Sequence, residues 1–327
     1  MKILIASDFH LGLSRKANFT AESSARREQI SRAVLRDVLQ TEHDIAICAG
    51  DFFDKFSNPE TTIIDALDYA KRFHYVLAGN HDSSQRADTK SSLDVVEHAL
   101  TNCDVVKEPL QAGMLWFVPH CLSQGQFLAA LDKVQQHASQ DDGQTKLLIA
   151  HCSYAMDFEL SSSSLNLSRE RAEQLLTTFD YVLLGHEHIA REDFGGRLQV
   201  IGSHYVTAFD NLTDKRHLVF DTETRRLDSV VHWRAGEHVY VGPGEDAPPG
   251  LDFYDLSGDV DPKLAVHLFK AGALGVRVAG RDRVIGEVDR PVLSLAGLPQ
   301  QIARELARNP ELLAIWESLQ EDEVAAV

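Results

Sequence analysis

Cysteine is scarce in this chain. Its 327 residues include four, Cys48, Cys103, Cys121 and Cys152, and no Cys-x-x-Cys pair, so neither a disulfide framework nor a thiolate zinc site is written into it. The four fall in segments that look buried or strand-adjacent, where a reduced thiol packs as a small hydrophobe, and cysteine used this way predicts a cytoplasmic protein. Positive charge is also in short supply. Lys and Arg number 32 against 49 Asp and Glu, a net charge of −17, which argues against a broad, sequence-independent grip on nucleic acid by the chain alone. A nucleic-acid substrate is not thereby excluded, because bound divalent cations invert local electrostatics. No stretch approaches the ~18 apolar residues of a membrane span, and the apolar start Ile3-Leu4-Ile5-Ala6 meets Asp8 too soon for a signal peptide. The Gly-x4-Gly-Lys-Ser/Thr loop is missing, so any use of ATP belongs to another chain. Neither an internal repeat nor a long low-complexity tract occurs.

What is present is an ordinary globular composition, 44% hydrophobic and 25% charged, in a chain longer than the usual single domain. Apolar runs at 3–7, 45–49, 75–78, 115–119, 146–150, 181–184 and 198–201 read as strands. Helical patterns stand between them, near 30–38, 60–72, 91–100 and 124–138, and from the N-cap Ser168 to about 178. This alternation predicts βαβ units, an α/β fold with helices covering a sheet. His217–Phe220 and Leu227–Trp233 read as closing strands, and Ser161–Ser164 as a loop. The Gly- and Pro-rich stretch Val241–Gly250 marks a boundary, dividing a main domain, 1–242, from a small α+β unit, 250–297. From Leu298 an amphipathic helical segment, 298–327, carries an apolar stripe through Ile302, Leu306 and Trp316 suited to a partner's groove.

The strand ends hold the chemistry. Asp8 and His10, Asp51, Asn80 and His81, His151, and His186 and His188 each follow an apolar run. Asp8 and His10 sit two apart, a spacing that turns both side chains to one side of an extended segment. Isolated, each motif is an ordinary turn; five coinciding at strand ends point to a site. The mixed nitrogen and oxygen donors suit Mn, Fe, Zn or Ni more than Ca, and the carboxylates with an amide oxygen favour Mn2+. One ion cannot use so many ligands, whereas two ions ~3.5–4 Å apart, bridged by a carboxylate, can. Such a pair polarises a phosphoryl group and activates water at neutral pH. By position, His81 lies outside the ligand set and would protonate or stabilise the leaving oxygen. Arg26 and Arg27 follow the first motif closely enough for phosphate contacts, although a solvated helix face fits them as well. His120 and His204 also follow strands and could reach a substrate phosphate, with packing or turn roles equally open. The remaining histidines read as surface or satisfied core residues.

Asp-x-His-x-Gly, Gly-Asp-x-x-Asp, Gly-Asn-His-Asp, a lone strand-end His and Gly-His-x-His, in this order over roughly residues 1–205, resemble the calcineurin-like metallophosphoesterases. The resemblance implies a four-layer α/β/β/α sandwich. It places Asp8, His10, Asp51 and His188 on one metal and Asp51, Asn80, His151 and His186 on the other, with Asp51 bridging, and makes His81 the catalytic histidine, oriented by Asp82. Within that superfamily, Asp8-Phe9-His10-Leu11-Gly12 and Gly50-Asp51-Phe52-Phe53-Asp54 look most like the SbcD-type DNA repair exonucleases. Asp54 points to their bacterial or phage branch, and a phage-encoded member would work in its host's cytoplasm. His204 stands where related chains often carry Pro, and the C-terminal part is short. Membership of that subfamily implies Mn2+, DNA as substrate, 3′ to 5′ exonuclease activity with or without endonuclease activity, a homodimer, and an SbcC-like SMC-family ATPase partner. The rival expectations are a phosphoesterase for a small nucleotide phosphodiester or pyrophosphate, and a non-catalytic scaffold for an ATPase.

Overall fold

The computed structural model describes residues 1–13, 20–83, 89–140, 143, 145–156, 165–208, 212–234, 238–242, 246–248, 250–257 and 262–278. The serine-rich loop 161–164, the 250–297 unit beyond residue 278 and the helical segment 298–327 lie outside the described residues.

In chain order, β1 (Lys2–Ala6) and α1 (Ala21–Val38) lead to β2 (Ile45–Cys48), α2 (Glu60–Ala70), β3 (Tyr75–Leu77), α3 (Ser92–Ala99) and β4 (Asp104–Val106). Next come β5 (Leu110–Ala112), β6 (Leu115–Val118), α4 (Gln124–Ala138), β7 (Leu147–His151), and the short β8 (Ser153–Tyr154) and β9 (Asn166–Leu167). They are followed by α5 (Arg169–Leu175), β10 (Tyr181–Gly185), β11 (Arg191–Asp193), β12 (Leu198–Val200), β13 (Lys215–Asp221) and β14 (Arg226–Trp233). The described chain closes with β15 (His238–Val241), β16 (Phe253–Leu256), α6 (Pro262–Lys270) and β17 (Gly275–Val278).

Two six-stranded sheets result, ordered β14-β13-β1-β2-β3-β4 and β11-β12-β10-β7-β6-β5. Strand alternation explains their stacking. In β1, Ile3 and Ile5 enter the apolar layer between the sheets, while Leu4 and Ala6 face the helices with Leu35 and Val38 of α1. In β7, Leu147 and Ile149 face the first sheet, while Leu148 and Ala150 pack toward Phe127 and Leu131 of α4. A strand buried on both faces must be apolar at every position, which is why these strands read as unbroken runs. The layers are therefore α/β/β/α. Helix starts follow local chemistry: Thr20 and Ser23 form a capping box on α1, Ser91 and Asp94 another on α3, and Ser168 caps α5.

β4, β5 and β11 have three residues each, too short for an apolar run to betray them, and β5 and β11 are largely uncovered. Helix α5 stops at Leu175 rather than near 178, and the chain turns through Thr177 and Thr178, whose β-branched side chains suit a helix interior poorly. β15 pairs in parallel with β16, and β16 with β17. Among the described residues, the small layer therefore includes β15, on the amino-terminal side of residue 250, as well as β16 and β17. No described helix is long and apolar enough to cross a membrane.

Candidate metal centre

β1, β2 and β3 run parallel in one sheet, β7 and β10 in the other, and their carboxyl ends deliver Asp8 and His10, Asp51, Asn80 and His81, His151, and His186 and His188. The carboxyl ends of parallel strands are where α/β folds bind ligands. The first two loops are laced together, Asp8 N donating to Gly50 O and His10 N to Asp51 O, each at 3.0 Å. Asp8, His10, Asp51 and His186 adopt left-handed backbone, with φ of 56°, 46°, 50° and 95°. Non-glycine residues held there cost about 1–3 kcal/mol each and gather where function requires it. The motif glycines admit the site sterically: a Cβ on Gly50 would lie 2.0 Å from His151 Nδ1, and one on Gly185 2.3 Å from Ser7 Oγ.

The donors form two sets. In the first, His10 Nε2 lies 2.9 Å from His188 Nε2, 4.0 Å from Asp8 Oδ1 and 3.8 Å from Asp51 Oδ2. In the second, Asn80 Oδ1 lies 3.0 Å from His151 Nε2 and 2.8 Å from His186 Nδ1, and Asp51 Oδ1 is 3.4 Å from His151 Nε2. Asp51 offers one oxygen to each. The outer ring nitrogens are tied: His151 Nδ1 to Ala49 O at 2.9 Å and His188 Nδ1 to Thr207 Oγ1 at 2.7 Å, while His10 Nδ1 faces Asp54 Oδ1 at 3.5 Å. A carbonyl only accepts, so His151 Nδ1 carries a proton and its Nε2 faces inward to Asn80 Oδ1 and Asp51 Oδ1. Tying the far nitrogen to a carbonyl or carboxylate is how proteins orient metal-bound imidazoles.

Charge fits the same occupant. Burial, then the neighbouring Asp51, pushes the Asp8 carboxyl up. Burial alone would raise Asp51 too, but His151 beside it holds that carboxyl well below the usual range. Burial, followed by charged His151, depresses His186 to about 3; burial, followed by His10, depresses His188 to about 2. Both rings are thus neutral and able to ligate at pH 7. A buried Asp8 that Asp51 destabilises, beside the neutral rings of His186 and His188, suits a divalent cation, whose ligands must be deprotonated. Three groupings of chelating side chains occur among the described residues: Asp8, His10 and His188; Asp51, His151 and His186; and His10, Asp51 and His81.

The profile of the calcineurin-like phosphoesterases matches residues 1–190. The chain belongs to the calcineurin-like phosphoesterase family. A search of the curated proteins finds no match. Among solved structures, a candidate 5′-nucleotidase from Staphylococcus aureus, in complex with α-ketoglutarate, is 16% identical at a TM-score of 0.40, over 70% of this chain and 52% of that one. A metallophosphoesterase from Sphaerobacter thermophilus is 14% identical at 0.35, over 72% of this chain and 90% of that one. An archaeal phosphodiesterase is 14% identical at 0.34, over 71% and 99%. Likeness at this level says nothing of substrate. Family membership makes the chain a metal-dependent hydrolase of phosphate esters.

Within this phosphoesterase, several side chains stand elsewhere than their sequence positions imply. Asp82 does not touch the His81 ring. Its Oδ2 accepts from Phe52 N and Gly79 N at 3.0 Å and its Oδ1 from Phe53 N at 2.9 Å, so it pins two motif loops together. His81 is held instead through Nδ1, 2.6 Å from Asp54 O. Arg27 is 1% exposed and donates to Val206 O and Thr207 O; burial lowers it to about 10, and no phosphate can reach it. Arg26 donates to Gly272 O of the small layer. His204, 1% exposed, lies under the site with Nε2 2.8 Å from Ser31 Oγ, because Gly202, at φ 86°, turns the chain inward after β12. His120 is half-buried, its ring 6.4 Å from that of His151. Two further residues reach the site without a role there being expected of them: Asp54, facing His10 and His81, which the second acid of Gly-Asp-x-x-Asp signals, and Thr207, facing His188, which nothing in sequence marks.

Proposed function

We propose that this chain is a two-metal DNA phosphodiesterase, the nuclease subunit of an SbcCD-like recombination and repair complex in the cytoplasm. One observation carries the hydrolytic part: seven donors from five strand ends fall into two four-residue sets that share Asp51. Asp8, His10, Asp51 and His188 would hold one ion, and Asp51, Asn80, His151 and His186 the other, with Mn2+ matched to the donors. Bound there, the ions would polarise the phosphoryl group, activate water and offset the charge that develops. Asn80 would ligate without adding negative charge beside a phosphate. His81, its Nδ1–H committed to Asp54 O, has Nε2 remaining to face the leaving oxygen, which it would protonate in its imidazolium form. Asp82 keeps the loop bearing Asn80 and His81 in register with the loop bearing Asp51.

DNA as substrate is supported by the SbcD-like form of the first two motifs, which also favours 3′ to 5′ exonuclease activity, with or without endonuclease activity, a homodimer and an SbcC-like SMC-family ATPase docked through 298–327. A second reading, a phosphodiesterase for a small nucleotide substrate, is favoured by a cavity beside the centre at His120. The test is degradation of single- and double-stranded DNA in Mn2+ or Mg2+, with and without an SbcC-like SMC-family ATPase. Manganese-dependent shortening of DNA is expected. Two bound metals and hydrolysis of a chromogenic phosphodiester, with DNA untouched even beside the ATPase, would leave the small-substrate reading and end the nuclease one.

A further inference from the structure

Between the end of β3, the loop after β4, the end of β6 and helix α4 lies a cavity of about 570 Å³, bordered on the metal-centre side by Asp82 and His120. Its volume is that of a small-molecule site, ~300–1,000 Å³. Phe56, Leu93, Pro119 and Ala130 give it apolar walls, and Leu122, 53% exposed, stands uncovered at its margin. Ser83 and Gln126 supply hydrogen-bonding groups among those walls. Lys107 on its wall is engaged, pairing with Asp94 Oδ1 at 2.7 Å and Glu97 Oε2 at 2.5 Å, and the other charged lining residues, Asp82, Glu108 and Lys133, are of mixed sign, so the lining does not form a cluster of cations for a second phosphate. Walls of this kind suit an occupant that offers both apolar and hydrogen-bonding surface, as a base and sugar do.

From this we infer that the cavity is a nucleoside subsite, which takes the base and sugar attached to the phosphate at the metal centre, with His120 as the positioning residue between them. The inference rests on the phosphodiesterase reading only for the phosphate to which that nucleoside is joined. It requires the substituent on phosphorus to pass His120, whose ring is 6.4 Å from that of His151, and to lie against α4.

The full-length chain is assayed on thymidine 5′-(p-nitrophenyl phosphate) and on methyl p-nitrophenyl phosphate, together with A130W, which fills the cavity, and L122A, which strips its margin. Wild type should favour the thymidine ester in kcat/KM by at least tenfold. A130W should lose that preference through KM, and L122A should lose part of it. Calorimetric titration of thymidine onto the metal-free chain provides a separate reading, and A130W should abolish that binding. Folded A130W that keeps the preference overturns the inference; if A130W fails to fold, an unchanged preference in L122A does so. A wild type that hydrolyses neither ester defeats the phosphodiesterase reading, and thymidine binding then decides alone: binding lost in A130W upholds the subsite, and none to wild type overturns it.

Discussion

A single methyl group at Gly79 should dismantle the metal centre. A Cβ built there lies 2.1 Å from Asp51 Oδ1, 2.3 Å from Asp51 N and 2.8 Å from Asp51 Cγ. Real contacts of this kind do not fall below 3.0 Å, so the carboxylate oxygen must retreat by about 0.9 Å, and because Asp51 N is backbone a rotamer change cannot relieve the clash. Gly79 is not among the residues with positive φ, so the strain in Gly79→Ala is purely steric. Overpacking of this sort costs about 1–3 kcal/mol. The functional loss should be larger in proportion, because Asp51 serves both donor sets and the Gly79 N to Asp82 Oδ2 bond of 3.0 Å lies in the same loop. Displacing a ligand or its support typically costs ~10–100-fold in metal affinity. Calorimetric titration of Mn2+, with urea unfolding of the metal-free chain, reads both effects. Gly125→Ala, whose Cβ meets nothing within 4 Å, is the control and should be neutral or slightly stabilising. Two Mn2+ equivalents bound by Gly79→Ala at wild-type affinity, with an unmoved urea midpoint, would refute the reasoning.

Other substitutions separate roles that proximity blurs. Asn80→Ala should weaken one of two metal equivalents by ~10–100-fold, whereas His81→Ala should keep both and lower kcat by ~10²–10⁴-fold; metal titration beside steady-state kinetics distinguishes them, and loss of a metal from His81→Ala would contradict the assignment. Arg27→Met should cost about 1–3 kcal/mol for each carbonyl it strands, seen in urea unfolding, with no rise in substrate KM; a KM effect without a stability effect would restore it as a phosphate contact. Burial, then the neighbouring His232, lowers His217 to about 4. The unfolded chain, with histidine near 6.5, then binds more protons than the folded one between about pH 4 and 6.5. The stability held by neutral His217 is therefore full above that window and is lost as pH falls through it. His217→Gln should flatten the fall in urea midpoint between pH 7 and 5, and an unchanged slope would count against the burial argument.

The layers, and the gathering of the candidate donors at one sheet edge, were legible because they rest on the same pattern. Strands such as β7, buried on both faces, advertise themselves as apolar runs, and a titratable residue at the end of such a run has nowhere to go but the sheet edge. What was not legible depends on contacts between distant parts of the chain. Asp82 looked like a partner for the ring next to it, yet its three donors are Gly79 and two residues of the Asp51 loop. Arg27 lies on a helix whose burial is decided by Val206 and Thr207, some 180 positions away. His204 has the sequence neighbourhood of a strand-end ligand, and only the turn at Gly202 sends it inward. Short edge strands such as β5 and the parallel pairing of β15 with β16 are likewise tertiary facts with no local signal.

Each donor set draws on both sheets: Asp8, His10, Asp51 and Asn80 come from the first, His151, His186 and His188 from the second. An ion in either position would act as a rivet through the seam between them. The sheets must dock before either ion can be fully held, so a half-folded chain should not assemble the catalytic apparatus, and hydrolysis would be confined to finished molecules. In return, each ion at a hundred times its dissociation constant would add about 2.7 kcal/mol to the folded state. Starving the protein of metal should therefore loosen it first along that seam, and hydrogen exchange in β1, β2, β7 and β10 should report free metal as sensitively as turnover does.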